Sequence, residues 1–122
     1  MKLGSCVFCA KIRAGDYEEG YPAINRPKVV AFTPLKPVTP GHRLIVPVEH
    51  LGRFIDHDGY TAGLMQRMVA RICAREGIAE HNIITSAGPA ATQTVFHTHL
   101  HLLPRYPGDG LVLPWTNQIK EC

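Results

Sequence analysis

The chain has 122 residues, enough for one domain around one core, and 45% of them are hydrophobic, an ordinary share for a globular protein. The formal charge is only +3 and the basic residues are scattered, without aromatic interleaving, which argues against a nucleic-acid surface. No apolar run approaches the roughly eighteen residues of a membrane span, and Met1-Lys2-Leu3-Gly4-Ser5-Cys6 lacks the apolar stretch of a signal peptide, so a cytoplasmic protein is expected.

In that compartment the four cysteines read as metal ligands or free thiols rather than disulfides. Cys6-Val7-Phe8-Cys9 comes first, and thiolates at this spacing reach one zinc ion from a tight turn. The same spacing also serves a redox pair or two unrelated thiols. With no second such pair downstream, a metal would need histidines or carboxylates to complete its shell. Residues 11–19 read as a short helical turn or loop, stopped by Gly15 and Gly20. Residues 21–27 are irregular, and Pro22 and Pro27 remove ladder donors, so any strand there lies on a sheet edge.

Residues 28–32 form a β-branched run and predict a strand. Three prolines within 34–40 forbid a helix, and Pro40-Gly41 signals a turn into a second strand over 42–47 that pairs with the first like a hairpin. His42 and His50 flank this strand; alone, each would be an ordinary surface histidine. From Thr61 the period changes: Leu64, Met65, Met68, Val69, Ile72 and Cys73 recur three and four residues apart. That is an amphipathic helix of about four turns ending near Gly77, with Cys73 and the two methionines in the core. His57 and His81 read as solvated loop residues. Residues 82–86 predict a strand, and 87–91 a loop of small residues whose N–H groups could approach an anion.

The most informative stretch is 93–103, where His97, His99 and His101 fall at every second position. As a strand it puts the three imidazoles in one row about 13 Å long, with Phe96, Thr98, Leu100 and Leu102 on the other face. Such a row suits a chain of phosphates or a metal with neighbouring groups. A polar stripe without chemistry is the plain alternative.

His97-Thr98-His99-Leu100-His101-Leu102-Leu103 resembles the signature of the histidine triad (HIT) superfamily, His-φ-His-φ-His-φ-φ, with Thr98 at a φ position. The resemblance extends over nearly the whole chain. Cys6 to Cys9, Phe32 through Pro37-Val38-Thr39-Pro40-Gly41-His42, Val46-Pro47-Val48-Glu49-His50, Ala87-Gly88 through Gln93-Thr94-Val95, Pro104-Arg105 and Gly108-Asp109 all sit in family order. It implies an α+β, HIT-like fold: one domain over 1–122, a five-stranded antiparallel sheet, one long helix, a short N-terminal helical segment, and a homodimer. It also implies an enzyme that attacks the α-phosphorus of a nucleoside phosphate ester or anhydride. His99 matches the nucleophile and His101 the histidine that hydrogen-bonds the phosphate, while His97 and His42 complete the catalytic group. Substrate contacts fall on Gln93 and Thr94, and on Ser86 and Thr92, where the family often carries Asn and Gly. Pro34 stands where the family often has an Asp or Asn that grips the ribose. Zinc-bearing members resemble the chain best, and their structural zinc ligands match Cys6, Cys9, His50 and His97.

The expected activity is hydrolysis of nucleoside phosphoramidates or dinucleoside polyphosphates through a covalent nucleotidyl-histidine. Neutral imidazole attacks near pH 7 without a separate base and splits one hard displacement into two easier ones. The alternatives are a nucleotidyl transferase or phosphorylase of the same superfamily, a nucleotide-binding module with little turnover, and a metalloenzyme with its catalytic metal on the histidine row. A nucleotide is the partner in the first three; no nucleic acid or membrane is expected.

Overall fold

The computed structural model describes residues 5–22 and 26–115; the expectations for 1–4, 23–25 and 116–122 lie outside the described residues. Helix α1 spans Val7–Arg13 and helix α2 spans Gly59–Glu76. The strands are β1 (Glu19–Tyr21), β2 (Val29–Phe32), β3 (Arg43–Pro47), β4 (His81–Ile84) and β5 (Leu100–Pro104). They make one antiparallel sheet in the order β1-β2-β3-β5-β4. The short β1 is an edge strand that begins at Glu19, where a helical turn or loop was expected, and ends at Tyr21, just before Pro22.

Period-two alternation divides β2 and β3 between two cores. Val29, Ala31 and Ile45 join Leu100 and Leu102 beneath α2, where they meet Leu64, Met65, Met68, Val69 and Ile72. Val30, Phe32, Leu44 and Val46 face the other way and pack on Cys6, Phe8 and Cys9 at the start of α1. Both faces of these strands are therefore covered, which is why β2 reads as an unbroken apolar run. Helix α2 begins at the Asp58 cap, whose Oδ1 accepts the Thr61 N–H at 2.7 Å, and ends at Gly77 with φ 68°. Cys73 is only half-buried, packed against the rim of the α2 core. Arg43 bonds Glu18 at 2.8 Å and Glu76 at 2.7 Å, and Arg75 bonds Glu19 at 2.7 Å, so an ion network fastens β1 to the end of α2. Among the described residues, no helix is long and apolar enough to cross a membrane.

The histidine strand is shorter than its periodicity predicts. It starts at Leu100, and His97 and His99 precede it. The register pairs Ile45 with Leu100; continued, it would reach Pro47. Pro47 has no N–H to give, and its carbonyl accepts from the His97 ring at 2.7 Å. The Thr98 N–H goes to Leu51 O at 2.8 Å, and the His99 carbonyl accepts from Thr85 Oγ1 at 2.9 Å. Side chains and a loop carbonyl hold residues 97–99, where a ladder would hold a regular strand.

Candidate active site and metal centre

The core packed on α1 carries a cluster at its edge. The donor atoms of Cys6, Cys9, His50 and His97 all lie within 4.8 Å of one another. His97 Nδ1 is 3.4 Å from Cys6 Sγ, 3.5 Å from Cys9 Sγ and 3.1 Å from His50 Nδ1, and Cys9 Sγ is 3.3 Å from His50 Nδ1. Bond lengths near 2.3 Å to sulfur and 2.0–2.1 Å to nitrogen give tetrahedral edges of about 3.3–3.8 Å, close to these separations. The His97 tautomer fits too. Its Nε2 lies 2.7 Å from Pro47 O, and a carbonyl only accepts, so Nε2 holds the proton and Nδ1 turns its lone pair to the cluster. Burial pushes the Cys9 thiol above its ordinary value, with the Cys6 sulfur adding to the effect, and a bound cation would reverse that. Two thiolates and two imidazoles therefore fit one divalent metal, held in a closed set with no position left for substrate.

His99 comes next along the row, with 9% of its surface exposed. Its Nδ1 lies 2.8 Å from the His97 carbonyl, so Nδ1–H donates and Nε2 keeps the lone pair. The ring packs edge-on against Phe8 and His101, both centroids 5.1 Å away. Burial holds the imidazole below the usual histidine pKa, so it is neutral near pH 7.

His101 and His42 close the row. The Val38 N–H donates to His42 Nδ1 at 3.1 Å, so in neutral His42 the proton sits on Nε2. That Nε2 is 3.0 Å from His101 Nδ1, which must accept. His101 therefore carries its own proton on Nε2 and presents it as a donor. Gly41, at φ 86° and placed where an added Cβ would meet Pro104 Cγ at 3.0 Å, makes the turn that brings His42 to this contact. Burial and the neighbouring His99 and His42 push His101 down to about 4. The unfolded chain protonates this ring below about pH 6.5. The folded protein should thus lose stability as pH falls from about 6.5 toward 4, because only the unfolded state takes up the proton in that window. The urea midpoint should fall between pH 7 and 4.5, and fall less in His101→Gln.

The loop before the row is tied down by its own hydrogen bonds. Gln93 is buried, with Nε2 donating to Gly52 O at 2.6 Å and to Val95 O at 3.0 Å, and Oε1 accepting the Gly88 N–H at 2.8 Å. Its amide is spent inside the protein and shapes the loop. Thr94 and Thr92 are exposed, the latter in a left-handed conformation with φ 69°, and Ser86 is half-buried just beyond β4. His57 departs from expectation. It is half-buried, and its Nε2 lies 2.8 Å from Thr98 Oγ1. Spacing alone does not reveal this contact. The available signal was Thr98, a hydroxyl at an apolar position, which needs a partner when buried.

Comparison with known proteins agrees with this arrangement. The HIT domain model matches residues 23–108. A HIT-like protein of Saccharolobus solfataricus is 33% identical over 111 residues, covering 85% of this chain and 76% of that protein. The adenosine 5'-monophosphoramidase hnt1 of Schizosaccharomyces pombe is 28% identical, with 91% of this chain and 83% of that one covered. Among solved structures, a Zn-bound histidine triad family protein from Mycobacterium smegmatis superposes with a TM-score of 0.72 at 35% identity, covering 91% of this chain and 82% of that one. The matched domain lies on the sheet that carries the histidine row, and the chain belongs to the histidine triad family, whose members are nucleotide hydrolases and transferases.

Proposed function

We propose that the protein hydrolyses nucleoside phosphoramidates or dinucleoside polyphosphates at the α-phosphorus through a nucleotidyl group carried on His99. The observation that carries this reading is the fixed tautomer of His99, which donates through Nδ1 to His97 O and leaves Nε2 as a neutral nucleophile beside a second imidazole. Nε2 attacks phosphorus, a P–N bond forms, and the electrons of the breaking bond leave with the amine or phosphate. The Nε2–H of His101 donates a hydrogen bond to a phosphoryl oxygen, with the His42 Nε2–H donating in turn to its Nδ1, and the leaving amine or phosphate takes its proton from solvent. Water then attacks the same phosphorus, loses a proton, and the P–N electrons return to His99. The likeness to the Schizosaccharomyces pombe phosphoramidase supports the substrate class.

Of the expected substrate residues, Thr94, Thr92 and Ser86 stay in this proposal as groups at the loop mouth, while Gln93 acts by holding that loop to Gly52. The metal is zinc, held by Cys6, Cys9, His50 and His97, and its role is structural. When bound, it supplies charge that keeps both thiols ionised and fixes the His97 ring. Supporting this over a catalytic metal on the row, only His97 turns a ring nitrogen to the cluster, while His99 Nδ1 and His101 Nδ1 are engaged elsewhere. A cytoplasmic homodimer belongs to the same reading.

The test is intact-protein mass spectrometry within seconds of mixing with adenosine 5'-phosphoramidate. One adenylyl group per chain is expected, discharged by water. Rapid discharge only when inorganic phosphate is added would mark a phosphorylase, and turnover with no adduct would end the histidine mechanism.

A further inference from the structure

Residues 97–99 lie beyond the start of β5, so the sheet does not set the backbone that aims His99. The peptide between His97 and Thr98 does. Its N–H donates to Leu51 O at 2.8 Å, and its carbonyl, pointing the opposite way across a trans peptide, accepts the His99 Nδ1–H at 2.8 Å. A rotation of this one peptide plane would release the proton that fixes the nucleophile's tautomer.

The Thr98 side chain tightens the same anchor. Its hydroxyl also donates to Leu51 O, at 3.1 Å, so its lone pairs face His57 Nε2 at 2.8 Å. With the hydroxyl proton spent on a carbonyl, His57 must donate from Nε2. Its Nδ1 is then a buried acceptor, and it has no partner, the sole such side-chain atom among the described residues. A buried polar atom without a partner is a cost that folded proteins rarely keep. A hydrophobic residue would avoid it, whereas histidine supplies a rigid ring that reaches Thr98 with a donor. The ring is also anchored, since the next residue, Asp58, caps α2 through the Thr61 N–H at 2.7 Å.

We infer that His57 is a positioning residue for the nucleophile: through Thr98 and Leu51 O it ties the 97–98 peptide to the start of α2 and so holds the His99 ring in its attacking tautomer. The inference rests on the role proposed for His99, but its first readout does not depend on that role.

The experiment compares wild type with His57→Gln, which keeps an N–H donor at that reach, and with His57→Phe, which keeps ring volume without a donor. Thr98→Val, nearly isosteric without the hydroxyl, and the His57→Phe, Thr98→Val double variant complete the set. Long-range proton–nitrogen correlation spectra of ¹⁵N-histidine protein report the tautomer of each ring, whatever the enzyme does. The His99 signals should show one Nδ1–H form in wild type and His57→Gln, and should shift toward tautomer averaging in His57→Phe and Thr98→Val. With adenosine phosphoramidate, kcat should fall about tenfold in His57→Phe with KM within about twofold, and recover in His57→Gln, since small misplacements tax the reacting geometry more than binding. The double variant should be no slower than the slower single, because both remove one link. An unchanged His99 tautomer in both His57→Phe and Thr98→Val overturns the inference, and Thr98→Val keeps the test alive if His57→Phe does not fold. A shifted tautomer with unchanged turnover upholds the positioning role and instead refutes His99 as the nucleophile.

Discussion

His99→Ala should lower kcat/KM for a nucleoside phosphoramidate by at least about 10⁴-fold, since removing a covalent nucleophile leaves only binding and electrostatic stabilisation. No nucleotidyl adduct should form on the variant. The fold should survive: the His99 ring makes one hydrogen bond, to the His97 carbonyl, and packs against Phe8 and His101, so its loss leaves one buried carbonyl without that donor, a cost of about 1–3 kcal/mol that a typical domain withstands. A circular dichroism spectrum and a urea midpoint near those of wild type would separate lost chemistry from lost structure. His101→Ala should cost less, about 10²–10³-fold in kcat, the range for removing one donor to developing phosphate charge. It should still form some adduct. If His99→Ala hydrolysed its substrate at a near-normal rate, the row would need a different role altogether.

The Cys6→Ser, Cys9→Ser double substitution should have the second large effect. Wild-type protein purified without an affinity tag should contain one zinc per chain by elemental analysis, and the variant almost none, because a serine hydroxyl stays protonated where a thiolate binds. The four donors come from α1, from the loop after β3 and from the segment before β5, so the metal ties together parts of the chain far apart in sequence. Binding that forms only in the folded state adds directly to folding free energy. The variant should lose at least about 3 kcal/mol, a drop of roughly 10 °C or more in Tm for a domain of this size. Activity should fall with it, since the same His97 that offers Nδ1 to the cluster offers its carbonyl to His99. Unchanged zinc content in the variant would eliminate this ligand set.

Much of this architecture was legible before any coordinates. The three- and four-residue recurrence from Leu64 to Ile72 marked α2, the β-branched runs marked β2 and β3, and the prolines around residue 22 marked an edge. These patterns are readable because burial repeats with the period of the backbone, so local order in the chain reports which face is covered. The Cys6–Cys9 spacing and the alternating histidines were legible for the same reason: side chains gathered by one turn or one row must keep its spacing.

Other features were decided only when distant segments met. Alternation put three imidazoles on one face, but the end of β5 pairing was set by Pro47 and by the His97 ring taking its carbonyl. The partners of the Gln93 amide, Gly52, Gly88 and Val95, came from loops that no spacing linked to it. His57 looked like a solvated loop residue until the fold set it on Thr98. In each case a hydrogen-bonding group found its partner dozens of residues away or in an irregular loop, where no period connects the two. Sequence pattern thus determined the layers of this protein and the residue types of its site; tertiary contact determined the tautomer each histidine adopts, because a proton's place on an imidazole depends on which carbonyl or N–H the fold brings against it.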